Sequence, residues 1–250
     1  MSLFAHPHRW LILMRHGQSA YNAENRFTGL HDPPLTEAGL AEASAGAKVL
    51  RGAGVRIDDV FISALQRTRE TADVLQRELG FHGESVIADA ALNERDYGDL
   101  SGLDKDQTRS RWGEAQVAKW RRSYAEGPPN GESLRDTVAR VLPFFLRSIL
   151  PSLLQKRTVL VIAHGNSLRA LVMALEGLSP AAVEDLEIPT GEVRVYELAP
   201  DSLVVRKAVH PKGGDWIDET LAAPEHESDG AFYRRALQEE EDTEEGRGAL

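Results

Sequence analysis

Short all-apolar runs alternate with amphipathic stretches along this chain, and the two periods predict different elements. Trp10–Met14 (WLILM) is five consecutive apolar residues, the length of a buried strand rather than a helix. A helix is predicted over Thr36–Leu50, N-capped by Thr36 and stopped by Gly52 and Gly54. Asp58–Ile62 supplies a second apolar strand. Ser63-Ala64-Leu65-Gln66 has the spacing of a capping box, and Leu65, Ala72, Leu75 and Leu79 mark one helical face up to Gly80. Residues 81–157 are more polar and predict two helices, around 104–125 and 132–149. Thr158–Ala163 (TVLVIA) reads as the clearest buried strand, followed by a helix at about Leu168–Glu176 and strands at Val193–Leu198 and Leu203–Val209.

Apolar strands alternating with helices predict an α/β three-layer sandwich, with a mostly parallel central sheet flanked by helices. Residues 1–210 form one domain on this reading, with 81–157 as a helical and loop section inserted over one edge of the sheet. In such folds ligands bind beyond the carboxyl ends of the strands. The first strand runs into Arg15-His16-Gly17, and the second into Ser63 with Arg67 and Arg69 in the opening turns of its helix. The third runs into His164-Gly165-Asn166-Ser167. Arginine in a first helical turn opposes the helix dipole unless an anion is present. Free N–H groups at helix starts, with arginines and two histidines, describe a phosphoryl site. Glycine after each histidine lets backbone approach the ligand.

Composition narrows the chemistry. There is no cysteine, which excludes disulfides, thiolate catalysis and cysteine-ligated metals. The net charge of −10 argues against nucleic acid as a partner, but it is unevenly placed: residues 211–250 hold four Lys/Arg and twelve Asp/Glu. The body is therefore nearly neutral, and the run Glu239–Glu245 reads as a solvated, partly disordered acidic tail. The apolar runs are too short to span a bilayer, and the N-terminus has no signal-peptide pattern. The expectation is a cytoplasmic protein without a membrane partner.

An imidazole can attack phosphorus, and arginines can hold the equatorial oxygens of the transferring group without a metal. Glu94 is a candidate acid/base, although beside Arg95 it reads on local sequence as half of an exposed ion pair. Trp120-Arg121-Arg122 reads by itself as a charged helix face.

The residues also resemble a known family. Leu13-Met14-Arg15-His16-Gly17-Gln18-Ser19 with Asn22, then Asn25-Arg26-Phe27-Thr28-Gly29, is similar to the phosphohistidine signature of the 2,3-bisphosphoglycerate-dependent phosphoglycerate mutases, in the histidine phosphatase superfamily. The likeness continues through Ser63–Arg67, Leu92–Arg95 with Tyr97-Gly98, Leu100–Leu103 with Lys105, Trp120–Arg122, Ala163–Leu171 and Ile188–Gly191.

The resemblance implies that His16 is the phosphorylated nucleophile and that Arg15, Arg67 and His164 stabilise the transferred group. Asn22, Gly165 and Asn166 would assist, and Glu94 would move the proton. Tyr97, Lys105, Arg121 and Arg122 would grip the substrate's other anionic groups, while Ser19, Thr28 and Gly29 line the same pocket. The implied reaction interconverts 3-phosphoglycerate and 2-phosphoglycerate in glycolysis and gluconeogenesis. It is primed by 2,3-bisphosphoglycerate, needs no metal, and acts on small phosphorylated three-carbon acids. A phosphomonoesterase using the same His16 is the alternative.

Gly165-Asn166-Ser167-Leu168-Arg169 nearly forms a serine-hydrolase elbow, but Arg169 replaces the last glycine. Gln18 stands where the family usually has glutamate. The connection Gly127–Ser133 is shorter than in many members, which leaves homo-oligomerisation open.

Overall fold

The computed structural model describes residues 9–81 and 86–220. Seven strands form one sheet: β1 (Arg9–Arg15), β2 (Asp59–Ser63), β3 (Val86–Asp89), β4 (Val159–Ala163), β5 (Val193–Leu198), β6 (Val204–His210) and β7 (Ile217–Thr220), in the spatial order β3-β2-β4-β1-β5-β6-β7. Neighbours from β3 to β1 pair in parallel, and those from β1 to β7 pair antiparallel. The sheet is therefore mixed: β1 to β4 and β6 point one way, β5 and β7 the other.

β1 and β4 lie centrally and are covered on both faces, which is why they read as unbroken apolar runs. Alternation still sorts their side chains. Leu11 and Leu13 enter one core with Phe61, Val161 and Ala163, while Trp10, Ile12 and Met14 enter the other with Ile62 and Ile162. Helices α2 (Glu37–Gly52) and α3 (Gln66–Leu79) supply the second core, with Ala43, Ala47, Leu50, Ala72 and Leu75. The first core is closed by α6 (Leu134–Phe144) and α8 (Gly165–Glu176). Between these, α1 (Ala20–Ala23), α4 (Lys105–Trp112) and α5 (Glu114–Arg122) build a small roof around Phe27, Leu100 and Val117.

Helix α6 runs through a wider turn at 145–149 into α7 (Leu150–Leu154). By length and composition this 21-residue stretch could cross a membrane. Its Val141, Phe144, Phe145, Ile149 and Leu153 are instead buried in the core, and Arg140 on it pairs with Glu132.

Several expectations are corrected. Ser63 is not an N-cap. Helix α3 starts later, at Gln66, with Leu65 in the cap position, and Ser63 Oγ accepts from the Leu65 N–H instead. The helix expected over 104–125 is two helices, broken where Gly113 takes φ +85°. The polar section holds strand β3 at the sheet edge, where the apolar run Val86-Ile87-Ala88 is only partly buried and too short to read as a strand. The sheet also continues past residue 210 into β7. The helix α9 (Pro180–Asp185) completes the elements. The acidic run Glu239–Glu245 and most of the tail lie outside the described residues.

The turn after β1 is pressed against the start of α2. A Cβ on Gly17 would stand 2.1 Å from the Gly39 carbonyl oxygen, and a Cβ on Gly39 would stand 2.1 Å from the Gln18 carbonyl oxygen. Both obstacles are backbone and cannot swing away. Gly17→Ala should therefore cost about 3 kcal/mol or more, lowering Tm by roughly 6–12 °C in thermal denaturation. Gly52→Ala, where a Cβ meets nothing within 4 Å, should leave Tm unchanged or slightly raised.

Candidate active site

Because β2, β4 and β1 are adjacent and parallel, their carboxyl ends open at one edge. That places the turn after β1 (His16-Gly17), the start of α3 with Arg67, and the start of α8 at His164-Gly165 side by side. The rings of His16 and His164 meet edge to face, 4.9 Å apart. Arg67 joins them, because its Nε–H points at both His16 Nε2 (3.3 Å) and His164 Nδ1 (3.2 Å). Its other nitrogens donate to the carbonyls of His31 (2.8 Å) and Gly29 (3.1 Å), and Asp32 lies 3.8 Å away. Gly29 holds φ +53°, and a Cβ there would overlap Ser101 Oγ. Arg69, by contrast, is exposed and outside the site.

These bonds fix the tautomers. His16 Nδ1–H donates to the Gly17 carbonyl at 2.6 Å, leaving the lone pair on Nε2. His164 accepts at Nδ1, so its Nε2–H donates to Ser63 Oγ at 2.7 Å. His16, Arg67 and His164 are each no more than 2% exposed. Burial pushes both imidazoles well below the usual histidine value, and Arg67 and Arg15 push further the same way; the Gly17 carbonyl opposes this at His16. Both rings are therefore neutral at pH 7, and a neutral Nε2 is a nucleophile. Arg67, pushed down to about 10 by burial, stays charged.

A cavity of about 250 Å³ opens beside the pair. Six cationic side chains line it (Arg15, Arg26, Lys105, Arg121, Arg122 and Arg169) against two carboxylates, Glu94 and Glu187. Burial lowers the pKa of Lys105 and of Arg122, and the charge of Arg121 lowers both further. An anion would relieve that crowding. Arg15 donates to the Ile188 carbonyl, while its buried Nε has no partner.

Glu94 is buried rather than an exposed partner of Arg95. One carboxyl oxygen accepts from the Asn166 N–H and side-chain amide and from the Arg95 backbone N–H, at 2.8–3.1 Å. The other lies on the Gly165 side, so that a Cβ on Gly165 would be 3.7 Å from it. Asn166 also donates to the Tyr97 hydroxyl and accepts from Arg169. This held carboxylate, beside a neutral nucleophile and a cationic wall, can exchange a proton with an oxygen at phosphorus.

Of the residues singled out in the sequence, Arg15, Asn22, Thr28, Glu94, Tyr97, Lys105, Arg121, Arg122, Gly165 and Asn166 line the cavity. Two do not. Ser19 is fully buried behind it, capping α1 and bonding Asn22, and Gly29 contributes its carbonyl to Arg67. Ser167 closes the N-terminal cap of α8 with His164, which gives it a structural place rather than that of a nucleophile. Arg26, Arg169 and Glu187 were not foreseen as wall residues. Arg169 lies one helical turn after Gly165, a spacing that could have revealed it. Among the described residues no cluster of His, Asp and Glu side chains could hold a metal ion.

Comparisons with known proteins agree with this geometry. The family model of the histidine phosphatase superfamily (branch 1) matches residues 11–210. A protein of Methylobacterium sp. (strain 4-46), named 2,3-bisphosphoglycerate-dependent phosphoglycerate mutase, is 55% identical over 204 residues, covering 82% of this chain and 98% of its own. A protein of the same name from Brucella melitensis biotype 2 is 54% identical, covering 80% and 98%. Among solved structures, a chain described as mycobacterial hydrolase 1 superposes with a TM-score of 0.69 at 29% identity, over 86% of this chain and 99% of its own. A mycobacterial glucosyl-3-phosphoglycerate phosphatase complexed with VO3 gives 0.68 at 28%, with the same coverage.

Depressed imidazole pKa values carry a sign for stability. Below about pH 6.5 the unfolded chain protonates these histidines while the folded chain does not, so acid favours unfolding. Unfolding free energy from urea titrations should fall as pH drops from 6.5 to 5, and less steeply in His164→Asn. An equal slope in both proteins would contradict the burial argument.

Proposed function

This chain belongs to the histidine phosphatase superfamily, and from that membership we propose that it interconverts 3-phosphoglycerate and 2-phosphoglycerate as a 2,3-bisphosphoglycerate-dependent mutase. The observation that carries the reading is the second cationic group: Lys105, Arg121 and Arg122 line the cavity together with Arg15, next to the histidine pair. A site that only removes phosphate needs one anion subsite, whereas phosphoglycerates carry a carboxylate besides the transferring group. The cavity is smaller than the roughly 300–1,000 Å³ typical of drug-sized ligands and suits a small metabolite. The relatives above 50% identity that carry the mutase name match it over almost their full length.

In this reading His16 Nε2 is the phosphoryl carrier. Phosphorylated His16 gives the group to the free hydroxyl of 3-phosphoglycerate, and the bound bisphosphate turns within the cavity. His16 Nε2 then attacks the other phosphorus, its new N–P bond replacing the O–P bond that breaks, and 2-phosphoglycerate leaves. Glu94 takes the hydroxyl proton in the first transfer and returns it in the second. Arg15 and Arg67 hold the equatorial oxygens together with the Gly165 N–H at the start of α8, and His164 joins them when the bound anion draws a proton onto its Nδ1. Asn22 and Thr28 complete the wall, and Tyr97, Lys105, Arg121 and Arg122 hold the remaining anionic groups. The six cations against two carboxylates fit 2,3-bisphosphoglycerate as primer. These donors suffice for the transfer without a metal. The reading puts the protein in the cytoplasm, on small phosphorylated acids.

A stopped assay tests this: the protein turns over 3-phosphoglycerate in EDTA, the reaction is quenched, and 2-phosphoglycerate is then measured with enolase and excess Mg²⁺. Isomerisation stimulated by trace 2,3-bisphosphoglycerate is expected, with an acid-labile phosphoenzyme. Phosphate release without isomerisation would make the protein a phosphomonoesterase instead. His16→Asn should abolish both activity and phosphoenzyme. Glu94→Gln should lower kcat about 10²–10⁴-fold, and Arg122→Ala should raise the KM for 3-phosphoglycerate roughly 10–100-fold.

A further inference from the structure

Glu42 is a buried carboxylate that the proposed reaction leaves unused. It sits on the inner face of α2, 7% exposed, with Gly191 packed against its Cβ. One oxygen accepts from the Gln18 N–H at 2.8 Å, and the other pairs with Lys212. The Gln18 N–H and the Gly17 carbonyl are the two ends of one planar, trans peptide group. That same carbonyl takes the Nδ1–H of His16 at 2.6 Å.

We propose that Glu42 is a positioning residue for His16, acting through the Gly17–Gln18 peptide as a bridge between its carboxylate and the imidazole Nδ1–H. A negative charge on the N–H end polarises the peptide and makes its carbonyl a stronger acceptor, as coupled hydrogen bonds do in a low-dielectric interior. When Nε2 bonds phosphorus and Nδ1 keeps its proton, the ring gains positive charge, and the bridge strengthens as that charge develops. The arrangement does through backbone what a directly bonded aspartate does for the histidine of a serine hydrolase. Gln18 cannot supply the charge, because its neutral side chain accepts from Thr36 Oγ1 at the start of α2. The preceding peptide is held as well, because the Gly17 N–H donates to Thr71 Oγ1 at 3.2 Å.

The proposal rests on His16 being the phosphoryl carrier, and two readouts separate the claims. Glu42→Gln keeps an oxygen for the Gln18 N–H and removes the charge. Single-turnover phosphorylation by 2,3-bisphosphoglycerate should slow threefold to tenfold, with the loss in kcat rather than in the KM for 3-phosphoglycerate. In the unphosphorylated protein, the His16 Nδ1–H proton resonance should move upfield, reporting a weaker bond to Gly17. Glu42→Ala should slow phosphorylation further; if that variant fails to fold, Glu42→Gln decides alone. Wild-type phosphorylation rate and an unmoved resonance in Glu42→Gln would overturn the proposal. A wild-type protein forming no acid-labile phosphoenzyme would sink the carrier reading itself, while the resonance still reports on the bridge.

Discussion

One N–H group sets the terms for the rest of the site. The Arg67 Nε–H lies between two imidazoles from different strands and is the shared donor to both. A guanidinium so deeply buried costs several kcal/mol unless its other donors are satisfied. The chain meets that demand with the carbonyls of Gly29 and His31 and with Asp32. The excursion from residue 24 to 36 is thus fixed by the arginine it surrounds, and the two rings stay uncharged because they are buried, an effect that this nearby cation strengthens. The contact between the two histidines, their neutrality and the path of a loop all involve one side chain on the first turn of α3.

Much of this arrangement was legible in the sequence because it is periodic and local. Three apolar runs, each leading into a junction that carries a cationic or imidazole residue, require only that parallel strands lie side by side, and β2, β4 and β1 do. What was not legible depends on distant chain or on backbone. Glu94 beside Arg95 looked like an exposed pair; it is the Asn166 N–H and amide, 72 residues on, that take its carboxylate inward. Gly113 broke a predicted helix through a left-handed φ that no hydrophobic pattern encodes. Strand β3 is a four-residue edge strand whose apolar run is only Val86-Ile87-Ala88, shorter than the runs that marked the central strands. The misread capping box at Ser63 had a related cause: its hydroxyl is engaged by His164, a residue 101 positions away.

The sheet has a division of labour. Its parallel half delivers the two histidines and Arg67, since only parallel neighbours bring their carboxyl ends to one edge. The antiparallel half, β5 to β7, carries no reacting group but sends Lys212 back from the turn after β6 to the carboxylate of Glu42 under the His16 turn. The wall of cations is shared: Arg15 ends β1 and Arg169 stands on α8, while the roof helices α4 and α5, with their own small cluster around Phe27 and Val117, carry Lys105, Arg121 and Arg122.

Four of the groups that orient the reacting side chains are main-chain carbonyls: Gly17 for His16, Gly29 and His31 for Arg67, and Ile188 for Arg15. A carbonyl is present whatever the residue, so at exposed His31 the side chain is free to drift over evolution while the course of the chain is not; Ile188 is held besides by its own burial in the core. A position like His31 tolerates substitution and resists insertion or deletion, because one added residue between 28 and 32 would move both acceptors of Arg67 together. The grammar of this site is therefore written partly in spacing, and loop length is the character under selection there.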